Sequence, residues 1–306
     1  MKGARLPGRR RILVVANPIA GSCRRSRLDA IVDRLRMLGC SVDLHETTAR
    51  GDAERAVAAV DAAAFDVIAA AGGDGTFNEV LNGLPEGGPP LAVIPLGTAN
   101  VLAREIALPR SIEGIAETLA FGPCRRVSIG EANGRRFIMM ASVGFDAIVV
   151  DHVDLELKRR IGKLAYLIET LKQYALAAPS IYHLRMAGRE HGAGGVVIAN
   201  GHFYGGSFVT SPTADLEKPC LDICRLTRSG RLALSRYLAS LLLGRLAARA
   251  DVRIDEATDL EILGPEGAPL QADGDVLCRL PAKIRILPAA VDLVFPAGRP
   301  DRRISW

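Results

Sequence analysis

Residues 67–71, Val-Ile-Ala-Ala-Ala, form an unbroken apolar run that ends directly on Gly72-Gly73-Asp74-Gly75-Thr76. A strand apolar on both sides has no solvent face. It must lie in a sheet covered by helices on both faces, the usual situation of a parallel sheet. The surrounding pattern agrees, with strand-like segments at 12–16, 41–44, 67–71 and 91–95 alternating with helical ones at 28–38, 53–63, 78–84 and 101–106. Strict succession of this kind implies a doubly wound α/β layer arrangement.

Around Gly122-Pro123 the pattern changes. Short β-like segments at 137–140, 196–199, 221–226 and 284–287 are separated by turns rich in Gly and Pro, with helical stretches at 155–178 and 232–248. A second domain of mainly antiparallel strands is expected, as 306 residues are many for one core and domains typically run to ~100–200 residues.

Charge narrows the partners. Lys+Arg 39 against Asp+Glu 34 gives +5, and Lys2, Arg5, Arg9, Arg10 and Arg11 account for all of it. This terminus reads first as a solvated end, with contact to anionic lipid as the alternative. Aromatics make up only 5% and none interleaves with the arginines, which argues against a nucleic-acid platform. Cys23, Cys40, Cys124, Cys220, Cys224 and Cys278 form no CxxC pair, so reduced thiols in a cytoplasmic chain are expected rather than a zinc site. No stretch reaches the ~18 apolar residues of a membrane span. Any bilayer contact is therefore expected to be peripheral, at the inner membrane surface.

In an open parallel sheet, ligands bind at the carboxyl ends of the strands. Gly72, Gly73, Asp74, Gly75 and Thr76 fall at such a place, where glycines admit phosphate oxygens to backbone amides. Thr76 with Glu79 reads as a capping box that starts the next helix at Thr76. AVIPLGTAN repeats the logic with Gly97, Thr98 and Asn100, and ANPIAGS does so after the first strand with Asn17, Gly21 and Ser22. Neither a Walker loop nor a dinucleotide fingerprint is present, because no GKS or GKT follows and Asn78 stands where the latter wants a small residue.

The succession NPxxG, GGDGT with NE, PLGTxN and a distal DGD resembles the diacylglycerol kinase catalytic family, which includes soluble bacterial lipid kinases and the sphingosine and ceramide kinases. SVGFDA at 142–147, GKLAY at 162–166, Asn200, Gly205-Gly206 and Pro212-x-Ala214 extend the resemblance over nearly the whole chain. GGDGT alone is shared with NAD kinases and phosphofructokinase-like enzymes; the combination is more specific.

The resemblance implies an ATP-binding α/β domain at 1–125, completed by 288–306, and a lipid-binding β-sandwich at 126–287 with the lipid entering between them. It implies ATP and Mg2+ as cofactors and a membrane lipid as substrate. Asn17, Thr47, Gly72, Gly73, Asp74, Gly75, Thr76, Glu79, Gly97, Thr98, Asn100 and Asp275 then correspond to nucleotide-binding positions, with Asp74 toward the metal and Asp273 as catalytic base. Asp273-Gly274-Asp275 taken alone reads rather as an exposed turn between two strands, a preference that the other motifs reverse. Three departures stand out. Asp275 replaces the family's Glu, Val101 stands where relatives often carry Asp, and Lys218-Pro219 replaces an Asp-Gly pair at the family's accessory metal site.

On the lipid side, Leu157, Ile161, Leu164, Ile168, Leu171 and Ala175 share one helical stripe, with Lys158, Arg159, Arg160, Lys163 and Lys172 elsewhere. Such a stripe is expected to cover its own core, with an anionic bilayer as the alternative. An NAD-kinase-like phosphotransferase, or a nucleotide- or lipid-binding regulator without turnover, are the competing functional readings. The sequence leaves oligomeric state open.

Overall fold

The computed structural model describes residues 11–18, 21–153, 163–176 and 180–298, with the side chains of 21–24 and 163–167 outside that description. Lys2, Arg5, Arg9 and Arg10, the helix positions Leu157, Lys158, Arg159, Arg160 and Ile161, and residues 299–306 lie outside the described residues. Two compact units are present, one of residues 1–127 with 290–306 and one of 128–289.

The first unit opens with β1 (Arg11–Ala16), α1 (Gly21–Met37), β2 (Ser41–Glu46), α2 (Asp52–Ala59), β3 (Val67–Gly72), α3 (Asp74–Gly83), β4 (Leu91–Pro95), α4 (Val101–Glu105) and α5 (Ile112–Phe121). Strands run in the order β2-β1-β3-β4, all parallel. Every residue of β3 is buried, as the two-sided apolar run requires. On one face Ile12, Val14, Val67, Ala69 and Ile94 pack against Leu28, Ile31 and Leu35 of α1 and Ile115 and Leu119 of α5. The alternate residues Ile68 and Ala70 are also buried and point to the other face, where α3 packs on β3 and α2 on α3. The sheet is doubly wound.

Helix α5 has no counterpart in the sequence reading. Its Ser111 hydroxyl accepts from Gly114 N–H at 3.1 Å, an N-cap that satisfies one of the first amides of a helix. The helix expected at 53–63 stops at Ala59 and is followed by a short 3-10 turn, Ala62–Ala64, capped by Asp61.

The second unit is built mainly of antiparallel strands. Two strands, β5 (Cys124–Ala132) and the thirteen-residue β18 (Ala282–Val294), begin in one unit and end in the other. Between them lie β6 (Arg135–Phe137), β7 (Met140–Val143), α6 (Phe145–His152), α7 (Lys163–Leu176), β8 (Tyr182–Met186), β9 (Arg189–Ala193), β10 (Gly195–Ala199), β11 (Phe203–Tyr204), β12 (Phe208–Val209), β13 (Leu221–Leu226), α8 (Arg231–Leu242), β14 (Val252–Ala257), β15 (Asp259–Gly264), β16 (Pro269–Ala272) and β17 (Asp275–Arg279).

One sheet runs β14-β13-β10-β7-β16-β17; in the other, β18 pairs with β15, β15 with β8 and β8 with β9. Val143, Ile198 and Ile223 from the first meet Phe137, Leu184, Ile262 and Ile284 in a common core, the packing of a β-sandwich. Within it Gly130 lies opposite Phe137, and a Cβ on Gly130 would come within 2.0 Å of the ring. Gly130→Ala is accordingly expected to cost ~1–3 kcal/mol of stability, measured by denaturant unfolding, with no change in nucleotide affinity.

Among the described residues no disulfide joins the cysteines. Burial pushes the Cys224 thiol up to about 12, so it serves as a core hydrophobe. Arg11, from the basic stretch, bonds Asp66 at 2.8 Å. No helix among the described residues is long and apolar enough to cross a membrane.

Candidate active site

The loops leaving β1, β2, β3 and β4 stand at one edge of the first unit's sheet, because the strands are parallel and in register at their carboxyl ends. Asn17 follows β1 and its N–H bonds Ala71 O at 3.0 Å. Thr47 follows β2, is buried, and donates its N–H to Ala16 O at 2.8 Å.

After β3 the chain leaves no space for side chains. A Cβ on Gly72 would lie 2.3 Å from Thr76 Oγ1, and one on Gly97 would lie 2.4 Å from Gly73 Cα and 2.7 Å from Asn100 Oδ1. The β3 and β4 loops therefore touch backbone to backbone. Gly72 O accepts both Leu96 N–H at 2.9 Å and Gly97 N–H at 3.0 Å. Asn100, at φ 48, closes the second loop on itself, accepting from Gly97 N–H and donating to Gly97 O, each at 2.9 Å. Thr98 is exposed at the tip of this loop.

Bare backbone at a helix start is the condition for close approach of a phosphate. Gly97→Ala must push the two loops apart, and is expected to lower ATP affinity by roughly tenfold or more through lost amide contacts, read by calorimetric titration.

The capping-box expectation is corrected by the structure. Helix α3 begins at Asp74, with Gly73 as N-cap and no side-chain cap bond. Thr76 is the third helical residue and buried, packed on Gly72, while Gly75 lies between it and Asp74. Glu79 Oε2 accepts from Ala53 N–H at 3.3 Å and so ties the start of α2 to α3.

Asp74 has a double character. Its Oδ1 accepts Val101 N–H at 2.7 Å and Leu102 N–H at 3.4 Å, which joins α3 to α4. Burial raises its pKa above the ordinary value, against those same amide bonds, which lower it. Val101, standing where relatives often carry Asp, contributes its backbone to Asp74 instead.

In the second unit, Asp273-Gly274 is the tight turn between β16 and β17. Ala272 pairs with Asp275, and both turn residues have positive φ, 50 for Asp273 and 89 for Gly274, the signature of a primed two-residue hairpin. The Asp273 carboxylate accepts three backbone amides: Ile138 N at 2.8 Å, Met139 N at 3.0 Å and Met140 N at 3.1 Å. Asp275, half-buried, is the first residue of β17.

Asp146, within the SVGFDA stretch, gathers partners that the sequence did not reveal. Its Oδ2 accepts Tyr204 OH at 2.7 Å and Gln271 Nε2 at 3.2 Å, and Ser142 Oγ donates to it as well. Gln271 Oε1 in turn accepts Gly274 N–H at 3.2 Å, so the network reaches the Asp273 turn. Burial, followed by the Asp146 charge, holds the Tyr204 phenol well above its usual range and keeps it a neutral donor. SVGFDA carried the only signal for this cluster.

At the position corresponding to the family's accessory metal site, Lys218 Nζ lies 2.8 Å from Glu256 Oε1 and 3.7 Å from Asp222 Oδ1. Cys220, Asp222 and Glu256 have ligand atoms within 4.8 Å of one another. The Lys218 ammonium stands among these carboxylates, and Asp222 Oδ1, although buried, accepts no hydrogen bond.

Comparison with known proteins accounts for both units. Residues 11–132 match the diacylglycerol kinase catalytic domain, and residues 139–295 match the YegS C-terminal NAD kinase beta sandwich-like domain. Diacylglycerol kinase of Bacillus subtilis is 28% identical over 301 residues, covering 96% of this chain and 99% of that protein. A Pseudomonas putida protein named "Probable lipid kinase YegS-like" is 32% identical over 275 residues, 88% of this chain and 90% of that one. A crystal structure of a diacylglycerol kinase from Bacillus anthracis superposes with TM-score 0.78 at 25% identity, covering 95% of this chain and 98% of that one. With an α/β unit and a β-sandwich unit each matched to its counterpart, the chain belongs to the family of diacylglycerol kinases and YegS-like lipid kinases, and is a lipid kinase.

Proposed function

We propose that this lipid kinase uses ATP and Mg2+ and transfers the γ-phosphate to the primary hydroxyl of a diacylglycerol-like lipid. The observation that carries the reading is the backbone contact of Gly73 with Gly97, where a single Cβ would intrude to 2.4 Å. Two glycine loops pressed together beside a carboxylate fit the needs of a nucleotide phosphate, whose charge is best met by amides and a helix start.

Magnesium is usually held by one or two carboxylates together with substrate phosphates. Asp74 offers such a carboxylate, anchored at Oδ1 by α4, and the donor set fits. When bound, the nucleotide supplies the γ-phosphoryl group and the ion neutralises charge developing on it. Gly72 and Gly73 keep the approach open, Asn100 fixes the β4 loop, and Thr47 and Asn17 frame the same sheet edge.

The second unit supplies the proton acceptor. Asp273 is the base the resemblance implies, and both of its carboxylate oxygens already accept backbone amides. Asp275 takes that role here, accepting the proton of the lipid hydroxyl as the oxygen attacks phosphorus. Asp273 is then a positioning residue, holding the turn that carries Asp275, with Gln271, Asp146 and Tyr204 holding the turn from the other side.

Purified protein given γ-labelled ATP and Mg2+ with, in separate reactions, lipid alcohols or NAD tests the reading. Label is expected in phosphatidic acid from diacylglycerol, and Mg2+ omission is expected to abolish it. Label in NADP with none in any lipid would overturn it in favour of an NAD-kinase-like activity. ATP binding with transfer to neither acceptor would favour a regulator.

A further inference from the structure

We infer that α7 and α8 together form a docking surface for an anionic lipid bilayer; its purpose rests on the lipid-kinase reading, but its chemistry stands on the surface itself. Helix α7 is turned inside out. Its polar residues Glu169 and Gln173 are buried and bonded to each other at 2.7 Å, while Ile168, Leu171 and Leu176 are 50%, 63% and 66% exposed. For Ile168, Leu171 and Ala175, the described part of the stripe, this overturns the expectation that it covers its own core.

Helix α8 repeats the exposure. Leu232 is 66% exposed, and Leu242 and Leu243 at its end are 70% and 71% exposed, while Ala233 and Tyr237 face inward. Of the nine exposed large hydrophobics among the described residues, six belong to these two helices and their caps. Isolated exposed leucines need no explanation, but a contiguous group marks an interaction site.

The helices are joined end to start. Tyr174 OH meets Ser235 Oγ at 2.6 Å, and Arg231 donates to Ala175 O at 2.6 Å. Leu176 and Leu232 each follow directly on the two residues of that second bond, so the exposed stretches of the two helices adjoin at this joint.

Charge selects the occupant. Lys172, Arg231, Arg236 and Arg245 are exposed along the patch, and the single acid within 168–176 and 231–245 is the buried Glu169. Lys172 is paired with that acid at 3.6 Å, which leaves Arg231, Arg236 and Arg245 as basic side chains with no acid within 231–245, and apolar side chains flanked by basic ones are the composition of an interfacial helix on anionic lipid. A second copy of the chain would bring the same positive charge to the same face, and like charges oppose such a contact.

The test is co-sedimentation of the full chain, without ATP, with vesicles of phosphatidylcholine alone or mixed with phosphatidylglycerol. Binding is expected on the mixed vesicles and to weaken with salt. The combined variant Leu171→Ser, Leu232→Ser, Leu243→Ser is expected to lose at least about tenfold in partitioning, as is Arg236→Glu with Arg245→Glu. Both are expected to keep the wild-type Tm and turnover of a water-dispersed short-chain diacylglycerol. Wild-type binding by both variants would overturn the inference. So would a dimer dissociated by the leucine variant while vesicle binding is unchanged, which assigns the patch to a second copy. Because binding is read without turnover, failure of the kinase reading would leave this result intact and distinguishable.

Discussion

Replacing Asp275 by Asn is expected to slow phosphoryl transfer by ~10²–10⁴-fold, the usual worth of a positioned proton acceptor, while ATP affinity and Tm stay near wild type. The expectation follows from the division of labour on the β16–β17 turn. Asp273 spends its carboxylate on the amides of Ile138, Met139 and Met140, whereas Asp275 heads β17 and is half-buried. Asp275→Glu keeps the carboxylate and lengthens it by one methylene, and is expected to retain activity.

Asp273→Asn behaves differently. An amide in place of the carboxylate puts an NH2 against at least one of the three backbone donors. The turn loosens, Tm falls by an amount worth ~1–3 kcal/mol, and activity declines with it. A Tm loss shared with an activity loss at Asp273, against an activity loss alone at Asp275, separates a positioning residue from a proton acceptor.

Asp74→Asn is expected to lower transfer by at least ~10²-fold and at the same time to raise stability at pH 7. Burial raises the Asp74 pKa in the folded state, so the folded chain binds that proton more tightly than the unfolded chain. Stability contributed by the protonated group is present at low pH and is lost as pH rises from the unfolded value through the folded one. At neutral pH the ionised Asp74 is therefore a cost. Asparagine removes the charge but keeps an oxygen to accept Val101 N–H. Melting curves should show the variant above wild type at pH 7, with the gap closing as pH is lowered beneath the carboxylate range. A carboxylate kept at a cost in stability is the mark of a functional site.

The first unit was legible because parallel strands buried on both faces write continuous apolar runs, and β4 fell at Leu91–Pro95 as read. Helix starts were not. Helix α3 opens with Asp74-Gly75, a poor helical pair, and starts there because Gly72 and Gly73 admit the turn and Asp74 is fixed by α4. Helix α5 carries Gly114 and Thr118, whose weak propensity hid it; Thr118 Oγ1 is satisfied by Gly114 O at 2.7 Å. Strand β18 was seen only as 284–287, since Pro288 reads as a breaker and the chain continues through Ala289 at positive φ.

At the site, the sequence marked candidate carboxylates but not the partners each one has in the fold. The amides that occupy Asp273 come from residues more than 130 positions away in the chain. Glu79 is likewise bound to α2 by a contact 26 residues distant rather than to the nearby Thr76. The inverted exposure of α7 escaped for a related reason: the helix packs on α6, a partner its own periodicity does not name.

The most direct measurement is single-turnover transfer from γ-labelled ATP to diacylglycerol, run side by side for wild type, Asp275→Asn and Asp273→Asn at equal nucleotide saturation. The account predicts that Asp275→Asn binds ATP and folds as wild type yet forms almost no labelled phosphatidic acid, while Asp273→Asn retains a rate in proportion to its folded fraction. Wild-type transfer by Asp275→Asn, with loss confined to a fully folded Asp273→Asn, would contradict it.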